Sequence, residues 1–295
     1  MTDVRDPSAP TGPTAAARAR AGAVVMVLVG QFSVQFGAAA ATGLFARVGP
    51  VGAVSLRLAF AALALLVVCR PRLRGRSRRD WALVVGFGVA LAGMNTLIYE
   101  AIARIPLGAA VTIEVLGPLV LSVVASRRAT SWLWAALALA GVALLGRAGL
   151  AGLTVTGALF ALGAATMWAA YILASHRAGG RFDRLDGLAL AMAVGAVLTL
   201  PLGVVAGGTA MVDPVVLGWG AAVALLSSLV PYSLELLALR RLPTAAFSVL
   251  MSLAPAVAAT AGFVVLGQEL TLVSALAIGM VVVASIGAVR QARPG

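Results

Sequence analysis

Long apolar runs separated by short polar gaps occupy almost the whole chain. A helix that crosses a bilayer needs about 20 mostly apolar residues, and the runs have about this length. They lie at 21–41, 50–69, 81–100, 108–126, 131–147, 157–176, 187–206, 215–239, 244–266 and 271–289. The pattern predicts an all-α integral membrane protein with ten transmembrane helices and no soluble domain on either side.

Arginine supplies all the basic charge of the chain, and it alternates between the gaps. Eighteen of the 22 arginines lie at the two ends or in every second gap, whereas the intervening gaps hold only Arg47, Arg104 and Arg147. Because positive residues are retained on the cytoplasmic side of a membrane, the arginine-rich gaps are predicted to be cytoplasmic. With ten crossings, both termini are then cytoplasmic as well.

The overall composition excludes several classes of protein. The chain is 61% hydrophobic and 11% charged, with a mean hydropathy of +1.04, whereas a soluble domain is about a quarter charged. The net charge of +12 is divided among separate loops, which argues against nucleic-acid binding and favours contact with anionic lipid head groups. One cysteine and one histidine allow neither an intramolecular disulfide nor a zinc site, so no metal or cofactor is predicted.

The chain resembles itself at a shift of 137 residues, because residues 95–120 align with residues 232–257. The matches that carry most weight are the pairs Arg104/Arg241, Pro106/Pro243 and Pro118/Pro255. Each copy would hold five spans, and since five is odd the second copy enters the membrane from the opposite face. Inverted repeats are typical of secondary transporters, which hold the substrate near the midplane between them. A helical bundle made by duplication, without transport, is the structural alternative.

Four regions follow from this repeat. They are a disordered cytoplasmic tail at 1–20, a first five-helix repeat at 21–147, a second at 148–289, and a second cytoplasmic tail at 290–295. Small residues after the first apolar run raise the question of a cleaved signal peptide. The length of that run and the internal Gln31 and Gln35 favour a retained span.

Three stretches of the chain carry a family resemblance. They are LAGMNTLIYEAIARIPLGAAVTIEVLGPLV, TMWAAYILASHRAG and ALLSSLVPYSLELLALRRLPTAAFSVLMSLAPAVAA. They resemble the EamA-type branch of the drug/metabolite transporter superfamily, and most of all its bacterial threonine/homoserine exporters, for which PYSLE followed by RLPT is fairly specific. The resemblance runs from about Gly30 to Ala288. It implies ten helices in two EamA repeats and proton-coupled export of small amino acids.

Two positions depart from the pattern of that subgroup. The subgroup usually has an acid before the proline of the ninth span, where this chain has Ala254 before Pro255. An acid in the following loop is also displaced, because Gln268 here precedes Glu269. Loss of an intramembrane acid could change the substrate or the ion coupling. The family assignment is unaffected, but threonine or homoserine as the substrate is less firmly implied.

Two charged residues lie well inside the predicted spans. A charge at mid-bilayer costs about 2.5–3.5 kcal/mol to insert, so such residues are candidates for function. At about 1.5 Å per residue, Glu114 lies on the order of 12 Å from the outer surface, and Arg57 lies at a similar depth. In the functional interpretation Glu114 binds a proton or the substrate amino group, while Arg57 receives a carboxylate. The alternative is a permanent structural ion pair between Glu114 and Arg57. Each of the two charges matches a charge at the same place in the exporter subgroup, which favours the functional interpretation.

Glu235 is a third candidate, one turn past Pro231 in the eighth span. Proline removes a backbone donor and should kink the helix, and a kink beside Tyr232 and Glu235 is what a gate or a substrate pocket would use. Alternatively, Glu235 snorkels to the inner interface or pairs with Arg240.

Neutral polar and aromatic residues within the spans are weaker candidates. Gln31 and Asn95 could line a substrate site, or they could form interhelical hydrogen bonds worth about 0.6 kcal/mol on average. Trp168 and Tyr171, three residues apart in the sixth span, could present a face to a substrate ammonium, although packing is the commoner role of such a pair.

The classes of function can be compared on these observations. The sequence lacks the nucleophile–base pair or the metal ligands that an enzyme would need. It also lacks a nucleotide-binding motif and the filter loop of a channel. It predicts a secondary transporter of the bacterial inner membrane that exports small amino acids by proton-coupled alternating access. Its partners would be a small-molecule substrate, a proton and the lipid bilayer. The alternatives are a multidrug or metabolite efflux carrier of the same superfamily, and a non-transporting membrane scaffold or sensor.

Overall fold

The structure, a computed structural model, describes residues 13–126, 130–147, 153–182, 185–239, 242 and 244–291. These residues are almost entirely helical, with no strand among them. The helices are α1 (13–48), α2 (50–69), α3 (Arg78–Ile102), α4 (Leu107–Glu114 with Leu116–Ser126), α5 (Ser131–Arg147), α6 (Val155–Gly179), α7 (Asp186–Gly207), α8 (Pro214–Ala224, Leu225–Leu229 and Val230–Leu239), α9 (Thr244–Met251 with Ala254–Leu266) and α10 (Leu272–Gln291).

The helices have the length and composition of membrane spans. Among the described residues, eight helical stretches are long and apolar enough to cross a bilayer, and Ser131–Leu145 is a shorter apolar helix. Large apolar side chains face outward, such as Val205 at 86% exposed and Val68 at 78%, as lipid-facing residues do. The all-α membrane fold is therefore confirmed. The number of ten crossings stays a prediction. It is reached only if the stretch Ala21–Cys69 crosses twice, as α1 and α2, and if the short helix also crosses.

One continuous helical stretch, Pro13–Cys69, forms the first two predicted spans and breaks at Gly49. Gly49 has φ 69° and ψ 170°, a conformation that only glycine adopts readily, and Pro50 then starts α2 with its fixed φ. The helix begins at Pro13, before the predicted span at residue 21, because residues 13–20 are mostly alanine and arginine, which are strong helix formers. The predicted tail of 1–20 is thus helical from residue 13 on, and residues 1–12 lie outside the described residues.

Helices α4 and α9 are each interrupted near their middle, at corresponding positions. The first segments, Leu107–Glu114 and Thr244–Met251, are both eight residues long. Pro118 and Pro255 lie four residues beyond the ends of these segments, and a proline cannot donate a hydrogen bond to the carbonyl four residues before it. The two interruptions are separated by 137 residues, the same shift at which the sequence resembles itself.

Loops that were assigned to the same side of the membrane lie next to each other. Arg76 forms an ion pair with Asp186 at 3.9 Å, and Arg181 forms one with Asp80 at 3.1 Å, so the α2–α3 and α6–α7 connections are neighbours. At the other end of α2, Arg47 lies 3.8 Å from Asp213, between the α1–α2 and α7–α8 connections. The alternation inferred from arginine therefore matches the packing of the described loops.

The end of the molecule that contains Pro106 is tightly closed. The Leu107–Glu114 segment packs against the Ala254–Leu266 segment, and a Cβ atom added to Gly108 would lie 2.8 Å from the Ala259 Cα. Above this contact, the Leu107 N–H donates a hydrogen bond to the Gln268 Oε1 at 3.0 Å. The Leu116–Ser126 segment packs instead against α5, α6 and α10, while Thr244–Met251 packs against α1, α8 and α10. Helices α4 and α9 thus meet at the Pro106 end and diverge beyond their interruptions.

We expect Gly108→Ala to destabilise this closed end, because the added methyl group meets the backbone of α9. Overpacking of this kind costs about 1–3 kcal/mol, measurable as a lower midpoint of thermal unfolding in detergent. Gly86→Ala is the matched control, since a Cβ at Gly86 has no atom within 4 Å and alanine favours the helix. Equal midpoints for the two variants would contradict the tight contact.

Candidate membrane-embedded binding site

A cavity of about 180 Å³ lies in the middle of the helix bundle, bordered by α1, α2, α3, α4, α6, α8 and α9. All eight residues singled out from the sequence line it: Gln31, Arg57, Asn95, Glu114, Trp168, Tyr171, Tyr232 and Glu235. Sites for drug-sized ligands usually measure about 300–1,000 Å³, so this cavity fits a smaller molecule. The structure brings the residues together, while the role of each stays a prediction.

Arg57 is buried at 7% exposure and is held by neutral groups on two other helices. Its Nε donates to the Ser228 Oγ at 3.2 Å, and its Nη2 donates to the Ser227 carbonyl at 2.8 Å. Its Nη1 donates to the Tyr99 hydroxyl at 3.2 Å, and the guanidinium lies 5.6 Å from the centre of that ring. A guanidinium carries five N–H groups, so N–H groups remain for a ligand in the cavity.

Glu114 lies on the same cavity but forms no ion pair with Arg57. Among the described residues, no Arg57 nitrogen lies within 4.0 Å of a Glu114 oxygen, and no hydrogen bond to the carboxylate is present. Glu114 ends the first segment of α4, where the chain is interrupted before Pro118. The permanent ion pair considered from the sequence is therefore not formed in this conformation. The two charges face one small space and can act on a ligand separately.

The kink predicted at Pro231 takes the form of a π-helical turn at Leu225–Leu229. In this turn the Val230 N–H donates to the Leu225 carbonyl, one residue beyond its α-helical acceptor. The carbonyls of Leu226 and Ser227 therefore lose their usual donors, the first to this shift and the second because residue 231 is proline. Single π turns of this kind are frequent at functional sites.

The polar residues on α1 and α3 are partly occupied by protein contacts. Gln31 Nε2 donates to the Met251 sulfur, and Asn95 Nδ2 donates to the Leu91 carbonyl at 2.8 Å. Both residues are at most 3% exposed, and both line the cavity. Each has a carbonyl oxygen that forms no hydrogen bond with the described residues, so each can accept a bond from a ligand.

The aromatic residues of α6 line the cavity and also pack against neighbouring helices. The Tyr171 ring lies 5.2 Å from the ring of Phe87 on α3, and Trp168 packs against the main core. The same two side chains therefore line the cavity and pack against other helices. Contact with a substrate ammonium stays a prediction.

Tyr232 and Glu235 follow the π turn and border the cavity. Glu235 is half-buried and lies among cavity residues. The sequence also suggested that Glu235 pairs with Arg240, but Arg240 lies outside the described residues. Glu100 and Arg104 on α3 and just beyond it form an i,i+4 ion pair, and neither residue lines the cavity.

Sequence reasoning missed Tyr99 and Ser227, two residues that shape the site. Tyr99 lies one turn past Asn95 on the same face of α3, a spacing that could have identified it. Ser227 lies four residues before Pro231, so the proline marks its carbonyl as one that needs another donor.

Ala254, where the subgroup pattern has an acid, is 3% exposed and lines the cavity. The acidic charge there is absent from this chain.

No cluster of three or more His, Cys, Asp or Glu side chains able to hold a metal ion is found among the described residues. The cavity instead combines one arginine, two acids, three amides and four aromatic side chains. Such a set can bind a small zwitterion, because it offers a cation for a carboxylate and acids or rings for an ammonium.

Comparison with known proteins identifies relatives of the whole chain. The sequence profile of the EamA-like transporter family matches residues 155–290. The threonine/homoserine exporter RhtA of Escherichia coli (strain K12) is 40% identical over 92% of this chain and 92% of its own length. RhtA of Salmonella typhimurium (strain LT2) is 40% identical over 90% of both chains.

A crystal structure of another protein shares the fold, with a TM-score of 0.60 and 22% identity over 96% of this chain and 100% of that one. At this identity the likeness concerns the fold alone. The 40% identity to the exporters over 92% of this chain shows the family. It also shows the class of protein, which is a multi-pass membrane transporter and not an enzyme. The chain belongs to the EamA-like transporter family.

Proposed function

We propose that this protein exports threonine, homoserine and similar small amino acids across the bacterial inner membrane, in exchange for protons. The relatives that are 40% identical are named threonine/homoserine exporters. The observation that carries the proposal is the cavity of about 180 Å³, with a buried arginine and a buried acid that do not pair with each other. Its size favours a small amino acid over the drug-sized substrates of a multidrug carrier.

Arg57 and Glu114 provide the two charges that an amino acid requires. The substrate carboxylate binds the N–H groups of Arg57 that the protein leaves open, since planar guanidinium and carboxylate groups match in geometry. The substrate ammonium binds the Glu114 carboxylate, with the rings of Trp168 and Tyr171 beside it. The amide oxygens of Gln31 and Asn95 accept hydrogen bonds from a side-chain hydroxyl, the group that threonine and homoserine share.

Glu114 links substrate release to a proton. With substrate bound, its carboxylate is neutralised by the ammonium; after release on the outer side, a proton from that side takes the place of the ammonium. In both cases Glu114 does not cross the closed intermediate as a bare carboxylate, which would be costly there. The proton leaves for the cytoplasm when the next substrate binds. One substrate therefore moves out as one proton moves in.

The two five-helix repeats provide the alternating access in this proposal. With both termini in the cytoplasm, as the arginine distribution favours, the closed Pro106 end faces outward and the structure represents an inward-facing carrier. The equal interruptions of α4 and α9 support the equivalence of the two repeats. Fusion of a reporter to residues 1 and 295 should place both ends in the cytoplasm; opposite sides would exclude an even number of crossings.

Growth in excess amino acid tests the substrate. A strain that lacks its own threonine exporters should become resistant to toxic concentrations of threonine and homoserine when it expresses this protein. Glu114→Gln and Arg57→Lys, expressed to the same level, should remove the resistance. Resistance only to cationic dyes would contradict the proposal and would favour a multidrug carrier. Ala254, which replaces an acid of the subgroup pattern, could contribute to such a change of substrate.

A further inference from the structure

The π turn of α8 and the proline that follows it leave two carbonyl groups without helical donors, and two side chains from other helices supply the replacements. Ser33 Oγ on α1 donates to the Leu226 carbonyl at 2.6 Å. Arg57 Nη2 on α2 donates to the Ser227 carbonyl at 2.8 Å. The donor missing from Ser227 is the one that Pro231 cannot provide. The Arg57 guanidinium thus occupies the place of a main-chain N–H.

We propose that Arg57 is a positioning residue which holds the π-helical turn of α8 and thereby aims Tyr232 and Glu235 at the cavity. This role is separate from any contact with substrate, and it does not depend on which substrate is carried. It follows from the hydrogen bonds of the unliganded protein.

The geometry of the turn explains why its loss would matter. A π turn contains one more residue than an α-helical turn, so every residue beyond it is rotated by about 100° relative to a regular helix. If α8 became regular while its first half stayed in place, Leu234 would take the direction that Glu235 now has. In the present structure, Glu235 lines the cavity, whereas the Leu234 Cβ packs on α1, 3.9 Å from the position of a Cβ at Gly30.

The close fit of α1 on the π turn favours the same conclusion. A Cβ atom added to Gly37 would collide with the Ser227 hydroxyl and lie 3.2 Å from the Ser227 nitrogen. The Ser227 hydroxyl is buried and forms no hydrogen bond, so it does not itself stabilise the turn. The donors that do are Arg57 from one side and Ser33 from the other.

A double-mutant cycle between Arg57 and Pro231 tests the main-chain part of the proposal. Arg57→Gln should lower the midpoint of thermal unfolding in detergent by about 5 °C, because the Ser227 carbonyl is left without a donor. Pro231→Ala supplies an N–H at that position, so in its presence the same substitution should cost less than half as much. Pro201→Ala, which removes the proline inside α7, is the matched control and should give no such rescue.

Cysteine accessibility tests the positioning part, in a background in which the sole cysteine, Cys69, is replaced by serine. With Arg57 present, a water-soluble thiol reagent should modify Glu235→Cys faster than Leu234→Cys, with or without Pro231→Ala. In Arg57→Gln with Pro231→Ala, the order should invert, because α8 is free to become regular. This inversion is a readout that mere loss of stability would not produce.

Several results would overturn the proposal. These are additive effects on the unfolding midpoint, failure of the double variant to accumulate although Pro231→Ala accumulates, and an unchanged order of cysteine modification in the double variant. Inversion by Pro231→Ala alone would also overturn it, since Arg57 would then not be what holds the turn. None of these measurements involves amino-acid flux. Failure of the proposed export function therefore leaves them unaffected.

Discussion

Glu114→Gln should abolish amino-acid uptake driven by a pH gradient in everted membrane vesicles, while exchange of labelled for unlabelled substrate persists at a reduced rate. Glutamine keeps the shape of the side chain but cannot take up the proton that replaces the substrate ammonium. In a one-for-one exchange each unit of pH difference is worth ~1.4 kcal/mol and supports about a tenfold accumulation, all of which the variant should lose. The readout is labelled threonine accumulated with and without an acidic vesicle interior.

The matched control for Glu114→Gln is Glu100→Gln. Glu100 is also an acid near a helix end, but it pairs with Arg104 outside the cavity, so its variant should keep gradient-driven uptake. If Glu114→Gln retained full accumulation, another group would have to carry the proton. Glu235 would be the next residue to test, because it is the other described acid on the cavity.

Arg57→Lys should raise the KM for amino acids by about 10- to 100-fold in the carriers that remain folded. Lysine keeps the charge but lacks the planar pair of donors that matches a carboxylate. Each hydrogen bond to a charged group is worth about 1.5–3 kcal/mol, and ~1.4 kcal/mol corresponds to a tenfold change in affinity. Initial rates of uptake at increasing threonine concentration, normalised to folded protein, measure the effect.

Pro231→Ala separates this binding role from the positioning role of the same arginine. It should restore stability to Arg57 variants by providing a donor for the Ser227 carbonyl, yet leave the KM raised because the guanidinium is still missing. If the KM returned to the value of the unmodified carrier, Arg57 would act on transport only through α8. Substrate carboxylate binding would then have to be assigned to other groups.

Much of the site could be predicted because a membrane makes charges conspicuous. Glu114 and Arg57 stand out from apolar runs in which an ionisable group is costly, and their depth follows from counting residues along a helix. Glu235 and Tyr232 could be found from Pro231, since a proline inside a span marks a place where the helix is distorted. The all-helical fold follows from run length, because lipid offers no alternative donors for the main chain.

The details that the sequence did not predict depend on which helices meet. The alternatives for Arg57 were a substrate carboxylate and Glu114, whereas in the structure it bonds the hydroxyl of Tyr99 and the main chain of α8. Those partners lie 42 and 170 residues away in sequence, so helix periodicity alone cannot identify them. The distortion at Pro231 was predicted from the sequence. Its form as a π turn was not, because it depends on hydrogen-bond donors from α1 and α2 that replace the missing helical donors.

Direct transport by purified protein tests the central claim. In proteoliposomes with an acidic interior, labelled threonine should accumulate above its external concentration, and a protonophore should abolish this accumulation. Excess unlabelled homoserine should compete, and Glu114→Gln protein should give no accumulation above the external concentration. Accumulation of a cationic dye without any uptake of threonine, or threonine uptake that is indifferent to the pH gradient, would contradict the account.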